Sequence, residues 1–159
     1  MDSKVEEIRP FIRAPAAGST LDVLGVTHVY KATAEETGGS FSLWEAVFPP
    51  GAGAPPHTHT REDGAFYVLS GELLIESGDE KSLHRIEAGG FFFGPRHRRH
   101  AVRNVADRPA HVLVLSAPSC GLDRMFAELD AATAAGKPDF EKLAAIAAKY
   151  GVVIEPPAS

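Results

Sequence analysis

The sequence predicts an all-β domain, a sandwich or small barrel, finished by two amphipathic helices. Three observations carry that prediction. Fifteen glycines and twelve prolines are spread along 159 residues and not gathered in one linker, which is the punctuation of many short strands joined by turns. Between those turns, runs rich in Val, Phe, Tyr, Ile and Thr recur as far as Pro118. Beyond Pro118 the apolar period changes to that of a helix.

Residues 1–20 show no period, and the segment RPFIRAPAAGST reads as an irregular N-terminal arm with two prolines. Residues 21–118 carry the strands. LDVLGVTHVYKATA suits one or two of them, EETGGS is a turn, and FSLWEAVF is a strand stopped by Pro49-Pro50-Gly51. GAGAPPHTHTRED is a Gly/Pro-rich approach to a short extended segment. AFYVLSGELLIES reads as two strands with a bend at Gly71, and Ser77-Gly78-Asp79 leads into KSLHRIEA as a hairpin. Gly89-Gly90 turns the chain into FFFG, which Pro95 stops; HAVRNV and AHVLVLSA follow, split by Ala106-Asp107-Arg108-Pro109. Eight to ten short strands result, the spacing of a sandwich or small barrel.

In the tail, residues 119–159, Leu122, Met125, Phe126 and Leu129 form the apolar stripe of a first helix that Gly136 ends. Pro138 is expected to open a second helix. Phe140, Leu143, Ile146, Ala147 and Tyr150 are its stripe, and Gly151 is its stop. Both helices are expected to pack on the barrel or on a partner subunit.

Composition excludes several classes. With 16 Lys+Arg against 21 Asp+Glu the net charge is −5, which argues against nucleic acid as the default partner, since phosphate binding needs a basic face. No stretch approaches the ~20 apolar residues of a membrane span. The opening MDSKVEEIRPFIR lacks the apolar core of a secretion signal. The single cysteine, Cys120, excludes an intramolecular disulfide, and a cytoplasmic setting is expected. Barrel edge strands and the irregular arm make a homodimer an expectation.

Of seven histidines, His57, His59, His97 and His100 fall in two clusters. On a strand, His57 and His59 project to one face. Two neutral imidazoles there form half a site for a first-row divalent metal, with His100 the natural third donor. The plainer alternative is a polar edge after a proline turn.

The spacing around these histidines resembles the cupins. In that family a glycine, five residues, His-x-His, three or four residues, a glutamate, six residues and a glycine make the first motif; Gly51, His57-Thr58-His59 and Gly71 stand in that register. The second motif, a glycine, five residues, Pro-x-Gly, two residues, His, three residues and Asn, is matched by Gly89, Pro95, His100 and Asn104. The match, together with the helical tail, resembles small bacterial cupins similar to quercetin dioxygenases. The resemblance implies a double-stranded β-helix, the cupin jelly roll, with His57, His59 and His100 as metal ligands inside one end.

Two positions depart from the pattern. The family's glutamate is replaced by Gly64, in the run Arg61-Glu62-Asp63-Gly64. Three outcomes stay open: a metal on three histidines with water, replacement of the lost oxygen by Glu62 or, facing outward on a continuous strand, less favourably Asp63, or an empty site. Losing a hard oxygen donor shifts preference toward Fe, Zn, Ni or Cu and away from Mn. If the missing glutamate also handles protons, Glu62 is the nearest replacement and the candidate catalytic residue. The second departure is His97 in place of the motif's glycine, where a histidine tolerates left-handed backbone.

The run Arg96-His97-Arg98-Arg99-His100 is either a basic rim that draws an anion toward the metal or a solvated loop whose arginines pair with neighbouring acids. Phe66, Phe91, Phe92, Phe93 and Trp44 line an apolar pocket or are plain core. The expected substrate contacts are Phe66, Phe93, Arg98 and Arg99. Asn104 is expected to hold the strand after His100, while His28, His84 and His111 are read as structural. The expected function is metal-dependent chemistry on a small aromatic or anionic molecule, most like a dioxygenase. The alternatives are a non-catalytic small-molecule binder and a non-oxidative isomerase, cyclase or hydrolase.

Overall fold

The computed structural model describes residues 7–137 and 139–156. Ten strands precede the helices: β1 (Thr20–Val23), β2 (Val26–Ala32), β3 (Ser42–Phe48), β4 (Gly53–His59), β5 (Asp63–Ser70), β6 (Glu72–Ser77), β7 (Ser82–Glu87), β8 (Phe91–Gly94), β9 (His100–Arg103) and β10 (Ala110–Ala117). Helices α1 (Leu122–Ala134) and α2 (Phe140–Lys149) follow, then β11 (Val152–Ile154). The strands form two antiparallel sheets in the orders β1-β2-β3-β10-β5-β8 and β11-β4-β9-β6-β7. This is the expected mostly-β jelly roll with two C-terminal helices. No helix among the described residues is long and apolar enough to cross a membrane.

Strict alternation makes the barrel wall. On β2 and β3 every second residue is buried, so Val26, His28 and Tyr30 point inward beside Ser42, Trp44, Ala46 and Phe48. Val112, Val114 and Ser116 continue this surface on β10. Opposite them stand Leu73 and Ile75 of β6, both fully buried, with His100 and Val102 of β9. Burying a Leu or Ile side chain of this kind contributes roughly 1.5–3 kcal/mol.

Backbone geometry at two glycines holds the sheets together. Gly71, with φ at +78°, turns β5 into β6, and a Cβ there would stand 2.6 Å from the Pro109 carbonyl oxygen. At Gly53 a Cβ would stand 2.1 Å from the Val102 carbonyl oxygen, so only glycine lets β4 approach β9. His97 does adopt left-handed backbone, with φ at 65°.

Pro55 and Pro56 lie inside β4. Neither can donate to a ladder. The pairing of β4 with β9 accordingly jumps from Ala54 opposite Val102 to His57 opposite His100.

Helix α1 buries Leu122, Met125 and Leu129 against the barrel. Asp139 caps α2, its carboxylate accepting the Lys142 backbone N–H at 2.8 Å. Pro138, expected to open that helix, lies outside the described residues. Glu128 of α1 accepts hydrogen bonds from Lys149 and the Tyr150 hydroxyl, joining the two helices.

The tail is more than helical. After Gly151, Val152 to Ile154 add β11 to the edge of β4, placing Val152 opposite His59 and Ile154 opposite His57. The apolar run Val-Val-Ile after a glycine stop was the available signal, but a three-residue strand becomes recognisable only beside its partner.

Candidate metal centre and cavity

His57 and His59 are carried by β4, and His100 opens β9 directly across from His57. Their ring centroids lie 4.9 Å (His57–His59), 4.4 Å (His57–His100) and 5.7 Å (His59–His100) apart. One nitrogen from each ring lies within 4.8 Å of the other two. The Nε2 atoms of His57 and His59 are separated by 3.1 Å. Two nitrogens each ~2.1 Å from a shared ion, at angles between a right angle and a tetrahedral one, lie about 3.0–3.4 Å apart. The pair therefore fits one ion.

The other ring nitrogens are engaged on the far side. His57 Nδ1 lies 2.7 Å from the Pro55 carbonyl oxygen and His59 Nδ1 2.7 Å from Glu62 Oε1. A longer contact of 3.4 Å joins His100 Nδ1 to the Arg98 carbonyl oxygen. With its proton on Nδ1, each ring presents the Nε2 lone pair for ligation. Burial, reinforced by His100 and His59, holds His57 well below the usual histidine pKa. Burial and His59 take His100 down to about 4. These two rings stay neutral near pH 7, the form that binds metal.

A cavity of ≈ 140 Å³ adjoins the histidines. Phe66, Phe92, Trp44, Val114, Met125 and Phe126 form much of its wall, and no lysine or arginine lines it among the described residues. Phe92 packs 5.5 Å from the His100 ring and 5.8 Å from Phe66. Gly64 faces the same space, two residues before Phe66 on β5.

Several expected contacts are relocated. Phe93 does not line the cavity: it is 54% exposed, and Phe92, one residue earlier, points inward. The pairing of Phe92 with Phe66 sets that phase, which three consecutive phenylalanines conceal in sequence. Phe66 does line the cavity.

Arg98 and Arg99 do not reach it. Arg98 is exposed at the surface, and Arg99 spans Glu76 and Glu155, each at 2.6 Å. Arg96 is clamped on Asp63, its backbone N–H at 2.8 Å and its guanidinium at 3.0 and 2.9 Å. Those hydrogen bonds hold the Asp63 carboxyl at about 2. The basic run is thus a surface loop in which Arg96 and Arg99 are paired with acids.

Asp63 accordingly faces away from the histidines. Glu62 is 1% exposed, lines the cavity, and meets the histidines through a contact with His59 Nδ1. Neither acid belongs to the group of converging ligand atoms, so the oxygen absent at Gly64 is not replaced by Glu62 or Asp63. Asn104 is fully buried and donates to the Phe48 and Arg108 carbonyl oxygens, fixing the turn after β9.

Sequence reasoning missed His28 as a cavity residue. It lines the same space with Trp44 and with Met125, Phe126 and Leu129 of α1. Alternation between Val26 and Tyr30 signalled that His28 points inward, but not what it would face.

Comparison with known proteins agrees with this architecture. Residues 44–116 match the cupin domain family. Germin-like protein subfamily 2 member 2 of Arabidopsis thaliana is 38% identical over 77 residues, covering 46% of this chain and 35% of the relative. Rice germin-like protein 5-1 is 33% identical over 105 residues, covering 62% and 47%. The chain thus spans less than half the length of these two relatives. The structure of KdgF from a Halomonas species superposes with a TM-score of 0.60 at 23% identity, covering 69% of this chain and 94% of that one, a likeness of fold. Two antiparallel sheets, the two histidine motifs facing each other across β4 and β9, and these matches together identify residues 44–116 as a cupin domain.

Proposed function

We propose that this cupin binds one divalent transition metal and carries out metal-dependent, dioxygenase-like chemistry on a small, mostly apolar molecule held in the barrel. The observation that supports it is the convergence of three imidazole nitrogens beside an apolar cavity large enough for one ring. His57, His59 and His100 would hold the ion through Nε2. An all-imidazole set favours Fe, Zn, Ni or Cu, and glycine at position 64 disfavours Mn, which prefers a hard oxygen donor. When bound, the metal supplies Lewis acidity and open coordination positions for a substrate oxygen or for O₂.

The chain's own groups do the rest. The Pro55 carbonyl and the Glu62 carboxylate keep a proton on the outer nitrogens of His57 and His59. Glu62 is therefore a positioning residue in this scheme. Phe66 and Phe92 flank the histidines and exclude water from the reacting end. An aromatic substrate suits the lining, whereas an anion finds no arginine or lysine on it and would depend on the metal for its counter-charge.

The test is metal analysis of protein purified without a histidine tag, followed by O₂ uptake with phenolic substrates. Stoichiometric transition metal that His57→Ala loses, with O₂ consumed, supports the reading. A bound metal without O₂ consumption points to isomerase, cyclase or hydrolase chemistry. No metal, with ligand binding untouched by His57→Ala, leaves a non-catalytic binder.

A further inference from the structure

We infer that His28 and Trp44 form a second recognition point in the cavity, which selects ligands carrying an uncharged oxygen, a hydroxyl or carbonyl, on an apolar ring. The inference rests on the cavity being a ligand site, as proposed above, but not on the metal.

The observation behind it is that two of the unpartnered buried polar atoms around the cavity belong to neighbouring rings, His28 and Trp44. His28 is 7% exposed and Trp44 3%, both line the cavity, and neither His28 Nδ1 nor Trp44 Nε1 has a hydrogen-bond partner. Buried polar side-chain atoms in folded proteins are overwhelmingly paired with protein or water. His28 Nδ1 and Trp44 Nε1, with Glu62 Oε2 and Ser116 Oγ also unpartnered on residues lining the same cavity, therefore indicate a guest that completes them.

Their chemistry defines the guest. The indole N–H only donates, so the ligand must offer an acceptor. Burial takes His28 down to about 4, leaving a neutral ring that offers one donor and one acceptor. No cationic side chain lines the cavity among the described residues, so a carboxylate or phosphate at this point would be buried without a counter-charge. A hydroxyl or carbonyl satisfies both groups.

The two rings are also fixed in place. Phe126 of α1 stacks on His28 at 4.8 Å with an interplanar angle of 23°, and meets Trp44 edge-on at 5.7 Å. The ring centroids of His28 and Trp44 are 6.4 Å apart. Trp44 and Phe66 pair with the same residue, Val114, from either side of β10. One aromatic row thus leads from this polar point toward the histidines. At ≈ 140 Å³ the cavity is comparable to an engineered apolar cavity of about 150 Å³ that admits benzene.

The probes are p-cresol, toluene and benzoate, titrated calorimetrically into the chelated protein and into His57→Ala, with emission of the sole tryptophan, Trp44, as a second signal. In a cavity without polar partners, desolvating the phenol would make toluene the tighter ligand. The expected result is p-cresol at least about tenfold tighter than toluene, with benzoate weakest. His28→Phe, which keeps a ring against Phe126, should abolish that preference while retaining toluene binding. Trp44→Phe should do the same by calorimetry and covers the case in which the first variant fails to fold. Toluene binding as tightly as p-cresol, benzoate binding more tightly than p-cresol, or no binding of any probe overturns the inference. Because the metal is absent from every arm, failure here is distinct from failure to bind metal or consume O₂.

Discussion

Glu62 Oε1 lies 2.7 Å from His59 Nδ1 while the opposite nitrogen of the same ring stands 3.1 Å from His57 Nε2. One imidazole therefore links a buried carboxylate to the converging nitrogens. A carboxylate behind a ligating histidine fixes its tautomer and raises its basicity.

That relationship makes Glu62→Ala informative. Metal affinity should fall by roughly 10- to 100-fold, as for other outer partners of metal-bound histidines. Competition with a chromophoric chelator measures it, and circular dichroism separates it from unfolding. Unchanged affinity would show that Glu62 does not orient His59.

Gly64→Glu tests the missing oxygen. A Cβ at this position meets only the Gly94 and Leu115 carbonyl oxygens at 3.9 Å, ordinary contact, and Gly64 shares the inward face with Phe66. The new carboxylate should raise Mn²⁺ affinity by about tenfold or more relative to Zn²⁺. A fall in affinity for both ions would mean that position 64 does not look onto the histidines.

His28 should leave a mark on acid stability. Burial lowers it from 6.5 to about 4, opposed only in part by Asp22. The unfolded chain takes up a proton near pH 6.5 that the folded chain refuses until about pH 4. Stability from the neutral ring is thus full above pH 6.5 and lost as pH falls through this window. In chelated protein, His28→Phe should shrink the loss across that window by up to ~3 kcal/mol. Urea unfolding at fixed pH values reads it, and parallel stability curves for both proteins would contradict it.

Arg99 is predicted to matter for stability and not for ligands. Its guanidinium joins Glu76 at the end of β6 to Glu155 just after β11. Arg99→Met should reduce unfolding free energy by about 1–2 kcal/mol and leave benzoate affinity unaltered. A selective loss of benzoate binding would restore the basic-rim reading of this loop.

Much of the barrel was legible because its information is local. Alternation in FSLWEAVF and AHVLVLSA, the bend at Gly71 and the stop at Pro95 each reflect conformational preferences of neighbouring residues. The grouping of His57, His59 and His100 was legible for a related reason. An i, i+2 pair on a strand shares a face, and the motif spacing places the third histidine on the facing strand.

What remained hidden depends on which segments become neighbours. Phe92 rather than Phe93 faces inward because β8 takes its phase from β5. Arg96 and Arg99 are occupied because Asp63, Glu76 and Glu155 arrive beside them from distant parts of the chain.

The amino-acid sequence by itself determined the strand pattern, the helical tail and the three imidazoles, since periodicity and spacing are properties of a single chain segment. Tertiary structure alone decided that Glu62 stands behind His59, that β11 covers the edge of β4, and that His28 and Trp44 share the cavity with α1. The physical reason is that pairing, burial and orphaned polar atoms are relations between segments, and these exist only once the sheets have closed.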